Sequence, residues 1–216
     1  MQVEVTRVET PEAREQALAV LRATYLEEKN WVADQEQMFA QSDLENPDVS
    51  WFVCFGAEGP VGVLRVLYDP PLELYREYGF QQIGAGSGID VEAFLRDNRI
   101  AEIGRFAVLP ESRRSVVYAL SLMRAASEET VRRGYSHYVT DIFEGEKHSP
   151  YEFHTRVMGF IPVATHDVGE LNTHHRRITL ILDLRQAYWR LKTKKKKVYR
   201  LLTDGWSEEL HQKMAS

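Results

Sequence analysis

Glu102 and Arg105 stand three residues apart in the apolar run of AEIGRFAVLPESRR, Ala101–Arg114, and Arg113, Arg114 and Ser115 follow Pro110. The question is whether this is a buried strand running into a loop or the edge of a site. A carboxylate in such a run can take up a proton, or it can be a buried acid paired to an arginine or capping a loop. On an uninterrupted strand Glu102 and Arg105 would face opposite sides, because side chains alternate with a period of two. A β-bulge, common beside active sites, would change that relation. Arg113, Arg114 and Ser115 read as the start of a helix, whose first-turn amides and positive end are compatible with negative charge. The rival reading is a solvated helix start.

Other reactive types are scattered. Asp141 ends an apolar strand and could meet an amine or cap a loop. His148 falls between a strand and a short helix, at a strand edge where loops serve chemistry, and imidazole titrates near neutral pH. A capping or surface role is its alternative. His154 has helical spacing to Met158 and reads as packing or partner-facing. His174 and His175 are adjacent, and with no cysteine cluster and no HExxH sequence no metal is expected. Cys54, the only cysteine, lies in WFVCFG and reads as buried packing. GAGSGID, Gly84–Asp90, carries neither GK[ST] nor GxGxxG, so it reads as a flexible connection rather than a phosphate loop.

The elements that must position these residues follow from pattern. The 216 residues are 44% hydrophobic and 11% aromatic, which suits one folded domain with an appendage. No stretch approaches the length of apolar sequence that spans a bilayer, so no transmembrane segment is expected. MQVEVTRVET lacks a secretory start, and the cytoplasm is the expected location. Residues 1–8 alternate as a strand, and a helix is predicted from Pro11 to about Lys29, then another helical segment over 31–44. Residues 50–56 and 61–68 form a hairpin about AEGP. Residues 69–99 are irregular. A central strand over 100–109, a long helix over 113–133, a strand over 135–143, a short helix over 150–158 and strands over 159–165 and 177–184 complete an α/β order. The last 32 residues are predicted helical. From Arg185 onward there are nine Lys/Arg and three Asp/Glu, a charge of +6, which leaves −11 on the preceding residues. The cluster LKTKKKKVYR, with Lys192 and Lys194 to Lys197, would attract phosphate, nucleic acid or an acidic protein, or simply be a solvated helix face. The acidic body argues against a broad nucleic-acid footprint, and no nucleic-acid partner is expected.

With this order in place, VLPESRRSVVY, Val108–Tyr118, resembles the V-x-P-x-x-R-x-x-G-x-G motif of the GNAT-type acyltransferases. Val108, Pro110 and Arg113 fit, and the two glycine slots hold Val116 and Tyr118. HTRVMGF, His154–Phe160, resembles a second feature of that family, with Thr155 where a tyrosine is frequent. The segment EIGRFAV resembles more narrowly the acyl-homoserine-lactone synthases and N-acyl amino acid synthases, the latter slightly favoured. The resemblance, which covers most of residues 3–183, implies a GNAT-like domain over residues 1–184 with a central mixed sheet flanked by helices; residues 185–216 are read from their charge and apolar spacing as a basic helical C-terminal appendage packed on it. The resemblance implies transfer of an acyl group, medium or long, from an acyl carrier protein or acyl coenzyme A to the amine of an amino-acid-like acceptor. The cofactor would be that pantetheine thioester, with no metal. Acyl carrier protein is a candidate partner, docked on the basic tail. Glu102 would accept the amine's proton, and Arg105 would anchor a carboxylate or organise Glu102, with a structural ion pair as its other reading. Backbone amides near Val108 would polarise the thioester carbonyl, and His148 would assist proton transfer. Arg113, Arg114, Ser115 and Val116 would hold the donor's phosphate, and Asp141 would meet the acceptor. Phe106, Val116 and Tyr118 would line an acyl channel or sit in the core. The alternatives are an ordinary N-acetyltransferase using acetyl coenzyme A and a catalytically silent binding protein with this fold.

Overall fold

The computed structural model describes residues 3–72 and 77–215. Among them one mixed sheet runs in the order β1-β2-β3-β5-β6-β8-β7-β4. Its strands are β1 (Val5–Arg7), β2 (Val49–Phe55), β3 (Pro60–Tyr68), β4 (Gln81–Gln82), β5 (Ile100–Val108), β6 (His137–Phe143), β7 (Ile161–His166) and β8 (Arg177–Asp183). β5 and β6 are parallel neighbours, and the other pairs are antiparallel. The connection between β5 and β6 is a long crossover helix, as a parallel pair requires.

Local chemistry starts the helices. Thr10 caps α1 (Pro11–Leu21) by accepting from the Ala13 amide at 3.2 Å, with proline at the first helical position. The chain then continues as π-helical turns over Arg22–Glu28. Two shorter helices, α2 (Gln35–Met38) and α3 (Val91–Asp97), are capped by Asp34 and Asp90. The crossover helix α4 (Val116–Arg132) ends before Gly134, whose φ of +80° suits the left-handed stop. Three helices close the chain: α5 (Leu184–Lys194), α6 (Lys196–Leu202) and α7 (Glu208–Ala215).

The sheet buries both faces. On one, Leu64, Val66, Ala101 and Ile103 meet α4 through Leu120, Leu122 and Met123, and Tyr188, Leu202, Leu210 and Met214 bring the C-terminal helices into the same cluster. On the other, Val53, Val63 and Ala107 meet Ala17, Leu18 and Leu21 of α1.

The α/β order and the hairpin match the sequence pattern, but three stretches differ. Residues 31–44 are not one helix: α2 is a single short turn, and a 3₁₀ turn follows over Gln41–Leu44. Phe39, buried between them, is extended and stacks on Trp51 at 4.0 Å, so tertiary packing breaks the helical run. Residues 69–99 hold more than irregular chain, for they include β4 and α3; positions 73–76 of that stretch lie outside the described residues. GAGSG is a 3₁₀ turn rather than a loose connection, with Gly86 pressed against the Val163 backbone. The long helix begins at Val116, not at 113, because Pro110–Ser112 forms a 3₁₀ turn first.

Candidate active site

β5 makes the site by parting from its neighbour. It pairs with β6 only from Ile100↔His137 to Glu102↔Val139. Beyond that point the Thr140 hydroxyl donates to the Ile103 carbonyl at 2.8 Å. A cleft of about 370 Å³ opens where the strands separate, lined by Ile103–Val108 on one side and Thr140–Phe143 on the other. The start of α4 (Ser115, Val116, Ala119) and the aromatic pair Phe106 and Phe153 complete its walls.

On its other edge β5 carries a bulge. Against β3, Arg65 opposes Gly104 while Val63 opposes Ala107, so one intervening residue of β3, Leu64, faces two of β5, Arg105 and Phe106. Arg105 absorbs the extra residue in a left-handed conformation, φ +48°, which is unusual for a side chain of this size. Glu102, Gly104 and Ala107 thus share the α1 face of the sheet with Arg65, and Arg105 is turned toward that same polar region. A bulge, which alters the opposite-facing relation of an uninterrupted strand, is present between Glu102 and Ala107.

A second pocket, of about 130 Å³, lies on this face. Glu102 accepts from Arg65 Nη2 at 2.9 Å. Burial lifts the Glu102 carboxyl above its ordinary value, Arg65 draws it down, and Glu170 and Asp141 add to the rise. Arg105 donates to the Gln37 carbonyl at 3.1 Å and to Glu170 Oε2 at 3.3 Å. Burial and the Arg65 charge push its guanidinium below the usual value. Asp141 sits within β6, accepting from Thr179 Oγ1 at 2.8 Å and meeting His166 Nε2 at 3.0 Å. The two pockets meet at Tyr25, Ile103–Arg105, Asp141 and Phe143, which line both.

The remaining residues singled out from sequence occupy the cleft or its rim. Leu109 N–H donates to the Val61 carbonyl at 2.8 Å, so by strand alternation the Val108 peptide groups point away from β3, toward the cleft. The Val108 carbonyl accepts from Arg113 Nε at 2.8 Å. Arg113 also forks onto both carboxylate oxygens of Glu28, and this pairing holds the Glu28 carboxyl below its ordinary value. Ser115 is the N-cap residue of α4, and Val116 is half exposed at the cleft mouth. Arg114 is exposed, outside the cleft lining, and makes no ion pair among the described residues. His148 is exposed on the rim with φ +65°. Tyr118 does not line the cleft; its hydroxyl lies beside Gly56. His154 does line it, buried among Phe106, Phe153 and Phe160, and burial lowers its pKa to about 3. Cys54 is buried and its thiol is pushed up to about 12, which makes it a packing residue. His175 pairs with Glu146 at 3.4 Å, and no group of metal ligands occurs among the described residues.

Arg65, Glu170 and Tyr25 complete the polar pocket, and His166 meets its Asp141 from outside the lining, although the sequence reading passed over all four. Only Arg65 had a local signal, a lone arginine inside the apolar strand VGVLRVLY. The others arrive from distant elements.

No family model matches the chain, and no curated protein matches it. Solved structures do. FeeM, an N-acyl amino acid synthase from uncultured soil microbes, aligns with a TM-score of 0.62 at 19% identity, over 87% of this chain and 95% of that chain. Arabidopsis thaliana NAA60 in complex with acetyl-CoA aligns at 0.58 and 11% identity, over 84% and 98%. An aminoglycoside 6′-N-acetyltransferase complexed with coenzyme A aligns at 0.55 and 14% identity, over 84% and 97%. The chain has the mixed α/β fold of the GNAT acyltransferases, a central sheet flanked by helices.

Proposed function

We propose that this GNAT-fold chain is an N-acyltransferase that moves a medium or long acyl group from a carrier-protein or coenzyme A thioester to the amine of an amino-acid-like acceptor. The observation that carries the reading is the meeting of two pockets at the bulge of β5: an open cleft with aromatic walls on one side and a charged pocket containing Glu102 on the other.

In this reading the thioester carbonyl lies against the Val108 amide, which stabilises the oxyanion as the amine attacks. The C–N bond forms, the C–S bond breaks and the pantetheine sulfur leaves as thiol. Glu102 takes the amine's proton, directly or through water. Its raised pKa suits that task, because a base works best when its pKa approaches the operating pH. Asp141 faces the acceptor, and His148 at the rim assists the proton's route to the sulfur. Ser115, Val116 and the first amides of α4 border the donor's phosphate, with Arg114 reaching in from outside. Arg113 acts first through the Val108 carbonyl, which it holds. Val116 and Tyr118, bulky where related motifs have glycine, favour a donor other than acetyl coenzyme A. Residues 185–216 form a basic extension of the 1–184 domain, offered to an acidic carrier protein.

The test is direct. The protein is incubated with L-amino acids and with long-chain carrier-protein thioesters, long-chain coenzyme A thioesters and acetyl coenzyme A, and amide products are sought by mass. Long-chain amides are expected. Amides from acetyl coenzyme A alone would favour an ordinary acetyltransferase, and thiol release without any amide would defeat the proposal.

A further inference from the structure

The charged pocket holds an arrangement that acyl transfer alone does not require. Two guanidinium groups converge on one carboxylate oxygen: Glu170 Oε2 lies 3.3 Å from Arg105 Nη2 and 3.9 Å from Arg65 Nη2. The arginine side chains are 10% and 13% exposed, whereas that of Glu170 is 54% exposed. The Nε atoms of both arginines are buried without a hydrogen-bond partner. Two cations are therefore held together at the pocket floor, and one solvent-facing carboxylate supplies the only anion bridging them among the described residues.

Hydrogen bonds tie the backbone on both sides of Glu170, while its side chain is half exposed. Arg177, buried beneath the loop between β7 and β8, donates to the Asp167 carbonyl at 2.7 Å and to the Leu171 carbonyl at 2.7 Å. The Asn172 amide donates to the Trp31 carbonyl at 2.8 Å. The Glu170 carboxylate is half exposed and can be rehydrated when it leaves, and an incoming carboxylate would restore the anion that the two buried guanidiniums need, so exchange costs less than leaving the arginines unpaired.

We infer that Arg65 and Arg105 form the subsite for the acceptor's α-carboxylate, and that Glu170 fills this subsite until the acceptor displaces it. The inference rests on the N-acyltransferase reading and narrows its acceptor to free amino acids over simple amines. A carboxylate bridging the two arginines would hold its own α-amine beside Glu102, which is 2.9 Å from Arg65. That amine would then face the junction with the donor cleft. A resident carboxylate lowers the fraction of protein ready to bind and so raises the apparent dissociation constant.

The experiment compares L-leucine with 3-methylbutylamine, which lacks only the carboxylate, as acceptors for the donor identified above. Wild type should prefer L-leucine in kcat/KM. Glu170→Gln, at an exposed position that the fold tolerates, should widen that preference by about threefold to tenfold through a lower KM for L-leucine. Arg105→Gln should shrink it by tenfold or more, roughly the worth of a charge-assisted contact. Equal use of the two acceptors by wild type overturns the subsite while acyl transfer stands. A preference that Glu170→Gln leaves where it was overturns the closing role. Transfer to neither acceptor, from any donor, removes the acyltransferase reading and this inference with it.

Discussion

As the proposed base, Glu102 must be ionised to accept a proton, and its surroundings make that conditional on pH. Burial raises its carboxyl, so the acid limb of kcat/KM should fall at higher pH than for a solvated carboxylate, activity being lost as pH drops through the raised value. Glu102→Gln should lower kcat/KM by roughly 10²- to 10⁴-fold and remove that limb. It should spare the fold, because glutamine keeps an oxygen for Arg65. A variant that retains the limb would assign the proton to another group. His154 bears on stability instead. Its folded pKa of about 3 lies below the ordinary value of 6.5, so the unfolded chain binds a proton first as pH falls. Stability is present in full above the unfolded pKa and is lost as pH drops from there toward about 3. His154→Phe, fitting among three phenylalanines, abolishes this loss. Urea unfolding should show the variant's advantage over wild type growing by ~2 kcal/mol between pH 7 and pH 5. A constant gap would place a charged imidazole in the folded state. The EIGRFAV segment made Glu102 and Arg105 legible because both lie in one strand. Glu170 and His166 were not legible because they arrive from the loop after β7 and the end of β7, and the lone arginine in β3, Arg65, gave no sign that it would meet them, a relation that no local spacing records.

At the scale of elements, the site exists because β5 is irregular on both edges, bulged toward β3 and parted from β6. The same logic explains how much of the fold could be read. Strands and the long helix declared themselves through period and caps. The stretch from 69 to 99 did not, because its order depends on contact with β7. Gly86 shows this most sharply. A Cβ there would sit 1.9 Å from the Val163 carbonyl oxygen, in a backbone that cannot yield as a side chain does. Glycine was thus required for close approach, not for freedom. Gly86→Ala should cost about 1–3 kcal/mol, the range of an overpacked core position, and lower the melting temperature accordingly. An unshifted melt would mean that the turn stands off β7 in solution.

Over the whole molecule, charge is separated: +6 from Arg185 onward and −11 before it. Lys192, Lys194, Lys196 and Lys197 are exposed about the junction of α5 and α6, and none lines the cleft. Meanwhile Tyr188, Leu191 and Leu202 of the same helices are buried in the core. Apolar contacts therefore hold these helices and leave the lysines exposed, as the proposed docking of an acidic carrier protein requires. Reversing Lys194, Lys196 and Lys197 to glutamate should raise KM for a carrier-borne donor by roughly tenfold or more at low salt. The KM for a small pantetheine thioester with the same acyl chain should stay put, because no phosphate contact or catalytic group has moved. Added salt should weaken the wild type toward the carrier donor and bring it close to the variant, since exposed charges are screened beyond about 10 Å at 0.1 M. Equal losses with both donors would instead mean that the reversal disturbed the fold or the cleft, and the tail would then have no part in docking.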